Sequence, residues 1–383
     1  FFKQKTAYEI VDCDWSSDVC SSDLYVIPTE SMEKTLLVND FLFVDKITYG
    51  ARIPQTPLSF PFVHNTLPLA PTTPSYVKWV QLDYQRLPKL RNINRNDVVV
   101  FNFPAGDTII NLPEFGSKFP YYDVLRTPEY NNNREKLMAD YPILVHPMDK
   151  TDNYIKRCVG LPGDVIQVKD SRLWVNHSPA FVAPSAQTEY IVVTDGKPIP
   201  ESFIEDTMGI NINEASADFK IMEGRPNTFV INMTAGAAAS LQKLPQVKEV
   251  SFYVDNIVGN TFPNDIAHAP WSVDNYGAIQ IPKKGDIIHL NDSTIEIYRR
   301  LITNYEHNSL EKQNGQFYIN GKPTNTYTVQ LNYYWMMGDN RHRSQDSRYW
   351  GFVPETHIVG RAALIWFSYN KSIRWNRLFN LIK

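Results

Sequence analysis

Short apolar runs, each entered or left through turn residues, constrain this chain most. Phe41-Leu-Phe-Val-Asp-Lys-Ile47, Asp97-Val-Val-Val-Phe-Asn-Phe103, Tyr154–Val159 and Ala362–Tyr369 carry the β-branched and aromatic content of strands. Asn39-Asp40, Asn96-Asp97, Gly163-Asp164 and Gly285-Asp286 each introduce an apolar strand. We read this echo as turn chemistry that starts strands, not as a true repeat. The chain's 26 prolines, 21 tyrosines and 20 phenylalanines suit short strands and long loops better than helical bundles. The expectation is a mostly β fold whose core is interrupted by long insertions.

The discontinuous β-rich core is expected over 25–53, 95–104, 150–176 and 335–370. Stretches 54–94 and 105–149 read as surface insertions, 177–334 as an inserted α+β subdomain and 371–383 as a tail. Helices are predicted near 133–139, over 235–244 before Pro245, and over 294–306. Ser293-Thr-Ile-Glu296 reads as a capping box for the last of these. Hairpins are predicted over 165–175 and at Phe317–Lys322.

The 383-residue chain is 43% hydrophobic and 21% charged with net charge −3, an ordinary globular balance. It has no basic excess to suggest a nucleic-acid partner. No uninterrupted apolar run approaches the ~18 residues that span a bilayer. Asp18–Leu24 resembles a translated sequencing-library adapter, and Phe1–Trp15 the tract that often precedes one. Residues 1–24 are therefore expected not to be native. The native reading then begins near Tyr25, and a preceding membrane anchor is expected to be missing. Cys13 and Cys20 fall in that tract, which leaves Cys158. One cysteine gives neither a disulfide framework nor a metal-ligand pattern.

Three stretches carry chemistry. In Ile27–Asp40, Pro28 stiffens the approach to Ser31, and Met32, Leu36, Leu37 and Val38 supply an apolar wall. Ser31-Met-Glu-Lys34 is an S-x-x-K pattern that one helical turn would place on one face. That spacing is common by chance, and a surface serine before a short helix explains it equally well. In Asp152–Asp164, Lys156 shares a strand face with Tyr154 and Cys158 if period two holds. Burial there would lower its pKa from about 10.4 and make it a general base; a lysine that snorkels to water is the alternative. Tyr334–Pro354 packs charge, amide and hydroxyl groups between apolar flanks, and such a cluster needs mutual pairing if buried.

Pro28-Thr-Glu-Ser31-Met32, Tyr154-Ile-Lys156-Arg-Cys-Val-Gly-Leu-Pro-Gly-Asp164 and Gly338-Asp-Asn-Arg-x-x-Ser344-x-Asp-Ser-Arg348-Tyr-Trp-Gly-x-Val-Pro354 resemble, in order, the three main motif boxes of bacterial signal peptidase I. The resemblance implies an antiparallel-sheet catalytic core and a serine endopeptidase that removes signal peptides after small residues of Ala-x-Ala type. It implies Ser31 as nucleophile and Lys156 as general base, working through an acyl-enzyme. Thr29, with the Ser31 backbone N–H, would form the oxyanion hole, and Ser344 would hydrogen-bond and orient Lys156. Asp339 with Arg157, and Asp346 with Arg348, would be structural polar pairs. Ile27, Met32, Leu36, Tyr154 and Ile155 would line substrate pockets. No metal or cofactor is implied. Partners would be secretory preproteins and membrane lipid, with the protein translocation machinery a further candidate. The catalytic side would face the periplasm from the inner membrane. On this reading Lys34 is an exposed charge. Asn39 stands where the family usually has glycine, and asparagine tolerates φ > 0 better than most residues. Cys158 replaces a small or branched apolar residue.

Three rivals compete. A penicillin-binding or β-lactamase-type enzyme also wants S-D-N and K-T-G motifs, which are absent after Tyr25. A self-cleaving repressor-type serine–lysine peptidase would need a DNA-binding domain and an internal cleavage site. A catalytically silent β-rich binding or assembly module would keep Ser31, Lys156 and Ser344 as structural survivors.

Overall fold

The computed structural model describes residues 22–59, 66–67, 70–77, 79–104, 108–110, 112, 115, 121–131, 133–210 and 218–383. The four Asn/Gly-Asp pairs build one recurring turn. Asn39, Asn96, Gly163 and Gly285 all adopt positive φ, at 65°, 73°, 93° and 91°. This left-handed conformation is open to glycine and tolerated by asparagine. Each following aspartate accepts the backbone N–H three residues earlier. Leu37 donates to Asp40 at 2.8 Å, Asn94 to Asp97 at 2.8 Å, Leu161 to Asp164 at 2.6 Å and Lys283 to Asp286 at 2.9 Å. In return each aspartate N–H donates to that residue's carbonyl. The turn therefore closes on itself before the strand begins, and the echo in the sequence is this shared geometry.

Two of these turns, Asn39-Asp40 and Asn96-Asp97, lead into strands of the main sheet. The main antiparallel sheet runs, in spatial order, Ser22–Val26, Asp40–Asp45, Ile358–Asn370, Val98–Asn102, Asn153–Gly160, Tyr333–Met337 and Val353–Pro354. Alternation decides its two faces. Val98 and Val100 join Ile27, Met32, Leu36 and Ile155 in one core cluster. Val99 and Phe101 join Cys158, Met336 and Trp350 in another. Apolar layers therefore cover both faces, which is why Val98–Asn102 is buried at every residue. Such a central strand reads as a continuous apolar run rather than an alternating one.

Residues 177–334 contribute to two separate cores. Strands Gln187–Thr194, Phe219–Ile221, Thr228–Thr234 and Val247–Phe252 form a sheet with its own cluster around Val192, Ile231 and Leu241. The helix Ala235–Leu241 packs on it, with Thr234 as its cap. Farther along, Tyr276–Gln280 pairs with the Val165–Lys169 strand, whose hairpin partner is Arg172–Val175. This body shares a core with Trp335 and Phe352.

Several expectations shift by a turn or less. The helix Arg134–Asp140 is capped by Asn133. The predicted 294–306 helix is α-helical over Ile295–Arg300 and continues in wider π turns over Leu301–Tyr305. Its capping box does not form: Asn291 Oδ1 accepts the Ser293 and Thr294 N–H groups, each at 3.0 Å. Glu296 instead pairs with Arg299, one turn on. The 371–383 tail is tied down, because Asn380–Leu381 pairs with the Ile358–Asn370 strand. Arg377 also forms an ion pair with the fully buried Asp40. Most of the tract read as non-native lies outside the described residues; Ser22–Leu24 begin the first strand.

Asn39 is exposed, so backbone conformation dominates the outcome of substitution there. Asn39→Gly should leave stability unchanged or slightly raised. Asn39→Val should cost about 1–2 kcal/mol, because a β-branched side chain disfavours the left-handed region. Denaturant midpoints of the three proteins check this.

Candidate active site

Pro28 and the extended Thr29 (φ −129°, ψ 161°) lead into a single 3-10 turn, Glu30–Met32. Met32 is driven into the core below, which fixes the turn and leaves Ser31 beside the Asn153–Gly160 strand. Lys156 stands on that strand. Its Nζ lies 2.7 Å from Ser31 Oγ and 3.0 Å from the Ile155 carbonyl. Both residues are buried, at 6% and 3% exposure. Burial lowers the Lys156 pKa to about 8, and the carboxylates of Asp346 and Asp339 oppose that shift. The Tyr154 ring lies 5.3 Å from Nζ. The structure thus holds an amine, its pKa lowered to about 8, against a hydroxyl 125 positions earlier.

Thr29 Oγ1 lies 3.3 Å from Ser31 Oγ. Two buried ion pairs stand behind this group. Arg157 grips Asp339 with Nε and Nη2, at 2.8 and 2.6 Å. Arg348 grips Asp346 in the same two-pronged way, at 2.9 Å for each bond. Burial pushes the Asp346 carboxyl up, but Arg348 and the Gly338 N–H outweigh it and hold the group below the usual carboxylate range. Gly338 is required by space: a Cβ there would collide with Ser344 Oγ and the Ser31 carbonyl.

One expectation needs correction. Ser344 is buried beside the site, but its Oγ has no hydrogen-bond partner. Lys156 Nζ spends its contacts on Ser31 and the Ile155 carbonyl, so the expected Ser344–Lys156 bond is not formed in this structure. The five apolar residues expected to line substrate pockets divide between two layers. Ile27, Met32, Leu36 and Ile155 are packed into the core beneath Ser31. Tyr154 belongs to the opposite layer, stacked on Phe103 at 4.8 Å and edge-on to Trp350 at 5.2 Å. Strand alternation separates Tyr154 from Ile155 in this way.

Lys34 is not part of the cluster. It has φ 67°, and its amine reaches the Gly209 carbonyl. Burial pushes the Cys158 thiol well above its usual range, so it stays protonated and inert. Sequence reasoning missed Thr35 and Asn340. Thr35 Oγ1 donates to Asp339 Oδ2 at 2.6 Å, and the Asn340 N–H donates to the Ser31 carbonyl at 3.0 Å. Asn340 lies inside a motif already singled out; Thr35 has no signal beyond its closeness to Ser31.

Burying Lys156 also sets a sign for stability. Its folded pKa is lowered, so between about pH 8 and 10.4 the unfolded chain holds a proton that the native chain does not. Stability gained from this group therefore rises with pH across that window. Lys156→Met removes the dependence. Its stability advantage over the unmodified protein should shrink by about 3 kcal/mol from pH 6 to pH 10.5. Parallel urea titrations measure the difference, and a pH-independent one would be inconsistent with a buried, depressed amine.

Comparison with known proteins gives the family of the chain. Residues 19–234 and 277–367 match the family described as signal peptidase, peptidase S26. Signal peptidase I of Buchnera aphidicola subsp. Acyrthosiphon pisum is 24% identical over 361 residues, covering 92% of this chain and 73% of that protein. Signal peptidase I of Haemophilus influenzae is 25% identical over 366 residues, covering 94% and 69%. Signal peptidase I of Aquifex aeolicus is 55% identical over a shorter stretch of 42 residues, 11% of this chain and 16% of that protein. The family match spans most of the sequence and both halves of the buried serine–lysine contact, and the chain belongs to the signal peptidase family, peptidase S26, of serine endopeptidases.

Proposed function

We propose that this protein cleaves signal peptides from exported preproteins through a serine–lysine dyad. The observation that carries the reading is the 2.7 Å contact between Lys156 Nζ and Ser31 Oγ, inside a shell that lowers the lysine pKa to about 8. A neutral Lys156 accepts the Ser31 hydroxyl proton as Oγ attacks the scissile carbonyl. The resulting ammonium returns that proton to the leaving amine, and the amide C–N bond breaks. An acyl-enzyme remains on Ser31. Lys156, neutral again, then takes a proton from the water that attacks the ester and returns it to Ser31 Oγ as the acyl C–O bond breaks.

Thr29 Oγ1 lies 3.3 Å from Ser31 Oγ, close enough to donate to an oxyanion formed on the carbonyl that Ser31 attacks. We assign it, with the Ser31 N–H, to the oxyanion hole. Ser344 is assigned as a positioning residue. Protonated Lys156 offers three N–H groups, and the buried Ser344 Oγ, which has no partner in this structure, would accept the third after a small movement of either side chain. Strand register supports an extended substrate. The Asn153–Gly160 strand pairs with Val98–Asn102 from Asn153 to Arg157, but with Tyr333–Met337 only from Arg157 onward. The edge at Ile155 and Lys156 suits β-augmentation by a peptide, with its carbonyl brought to Ser31. The filled floor of Ile27, Met32, Leu36 and Ile155 supports a preference for small side chains of Ala-x-Ala type.

The partners we infer are secretory preproteins and membrane lipid, at the periplasmic face of the bacterial inner membrane. Exposed Tyr369, Trp375, Phe379 and Leu381 give the C-terminal edge an apolar surface that suits lipid contact. Among the described residues no helix is long and apolar enough to cross a membrane.

Cleavage of a preprotein with an Ala-x-Ala site, in detergent or lipid, tests the reading. Ser31→Ala and Lys156→Ala should abolish it, Thr29→Val should cost on the order of 10²-fold in kcat, and Lys34→Ala should leave most of it. An active Lys156→Ala enzyme would refute the assigned base. The value of kcat/KM should rise with pH through about 8, because only the neutral amine accepts the serine proton. A profile flat from pH 6 to 9 would contradict that assignment. No cleavage by the unmodified protein would favour a binding module.

A further inference from the structure

The segment that carries Gly338, Asp339, Asn340 and Ser344 is held from two sides. One side is the catalytic core. The other is the sheet formed by Gln187–Thr194, Phe219–Ile221, Thr228–Thr234 and Val247–Phe252. The seam between them is polar and deeply buried. Asn232, on the Thr228–Thr234 strand, is 1% exposed, and Asn340 is fully buried. Asn232 Nδ2 donates to Asn340 Oδ1 at 3.1 Å. Asn340 spends its own donors on the nucleophile turn: its Nδ2 donates to the Glu30 carbonyl at 3.1 Å, and its backbone N–H to the Ser31 carbonyl at 3.0 Å. One residue therefore grips both carbonyls of the Glu30–Ser31 step, and Asn232 fixes which way its side-chain amide faces.

A second strut lies two residues further on. His342 Nδ1 accepts the Glu189 backbone N–H at 3.1 Å. Its tautomer follows, since a ring nitrogen that accepts carries no proton. His342 Nε2 then donates to the buried Asp274 at 2.8 Å. Gln187 N–H, on the same inserted sheet, donates to the Asp339 carbonyl at 2.8 Å. Arg343 adds an ion pair to Asp218 at 2.8 Å and another to Glu30 at 3.2 Å.

We propose that Asn232 and His342 are positioning residues, which clamp the 338–344 segment to the inserted sheet and so hold Asn340 against the Glu30 and Ser31 carbonyls. The inference rests on the proposed function and adds a task for the inserted sheet: it is the outer jaw of the active site. Neither residue touches the reacting atoms. Their loss lets the Asn340 amide rotate and the Ser31 turn shift, and a small displacement of a nucleophile costs rate more than binding.

The test compares four variants of the full chain in cleavage of an Ala-x-Ala preprotein, well below the unfolding transition. Asn232→Leu removes the donor and keeps the volume. His342→Leu removes the strut, whereas His342→Gln restores an acceptor and a donor at similar spacing. Val192→Ala opens the core of the same sheet away from the seam, where Val192 is fully buried. Asn232→Leu and His342→Leu should each lower kcat about five- to tenfold with KM within about twofold. His342→Gln should recover most of the rate, and Val192→Ala should lose stability but keep kcat. Unchanged kcat in Asn232→Leu and His342→Leu overturns the inference. So does an equal loss of kcat in Val192→Ala, which would make the effect one of general stability. If the unmodified protein leaves the preprotein intact, the proposed function itself falls and the inference with it.

Discussion

The structure depends on keeping one amine out of water. Lys156 is almost fully buried, and its burial is worth about 3 kcal/mol against the charged form. That cost is borne at neutral pH, where the unfolded chain would hold the proton. It is tolerated because buried groups pack around the amine. Val99 sits opposite Lys156 on the neighbouring strand, Met32 anchors the serine turn from below, and Asp339 and Asp346 stand near enough to moderate the shift. Without those carboxylates the pKa would sit lower still, and with less burial it would drift back towards the value of an exposed lysine.

The two buried ion pairs follow from the same requirement. Bare carboxylates so near the amine would raise its pKa more strongly, and unpaired they would be costly in a closed core. Arg157 and Arg348 absorb most of their charge through two-pronged contacts. The Gly338–Arg348 segment therefore supplies both the electrostatic background and the geometry of the site. It is short of apolar anchors, so its position is set by hydrogen bonds to the serine turn and to the inserted sheet. A site of this kind is precise only while each of those polar contacts is made.

Much of this was legible in the sequence. The Asn/Gly-Asp pairs marked strand starts because the left-handed turn and the aspartate cap are both local chemistry. Val98–Asn102 was legible as a strand because a central strand is apolar throughout. Lys156 could be singled out because a lysine among Tyr154, Ile155, Cys158 and Val159 is unusual. What the chain did not disclose was long-range. Asn232 lies 108 positions from Asn340 within an insertion that carries no motif, and nothing local to it differs from any strand asparagine. The capping box at Ser293 failed because Asn291, two residues earlier, supplied a competing acceptor. Residue type alone did not show that Ile27, Met32, Leu36 and Ile155 pack in one layer beneath Ser31 while Tyr154 packs in the other.

The central claim is that Lys156 is a buried amine poised near neutrality. Nitrogen-15 NMR of protein labelled at lysine Nζ measures it without any substrate. One amine should titrate near pH 8, and that resonance should vanish in Lys156→Met. Titration of every lysine above about pH 10, the range of an unperturbed side chain, would contradict the account.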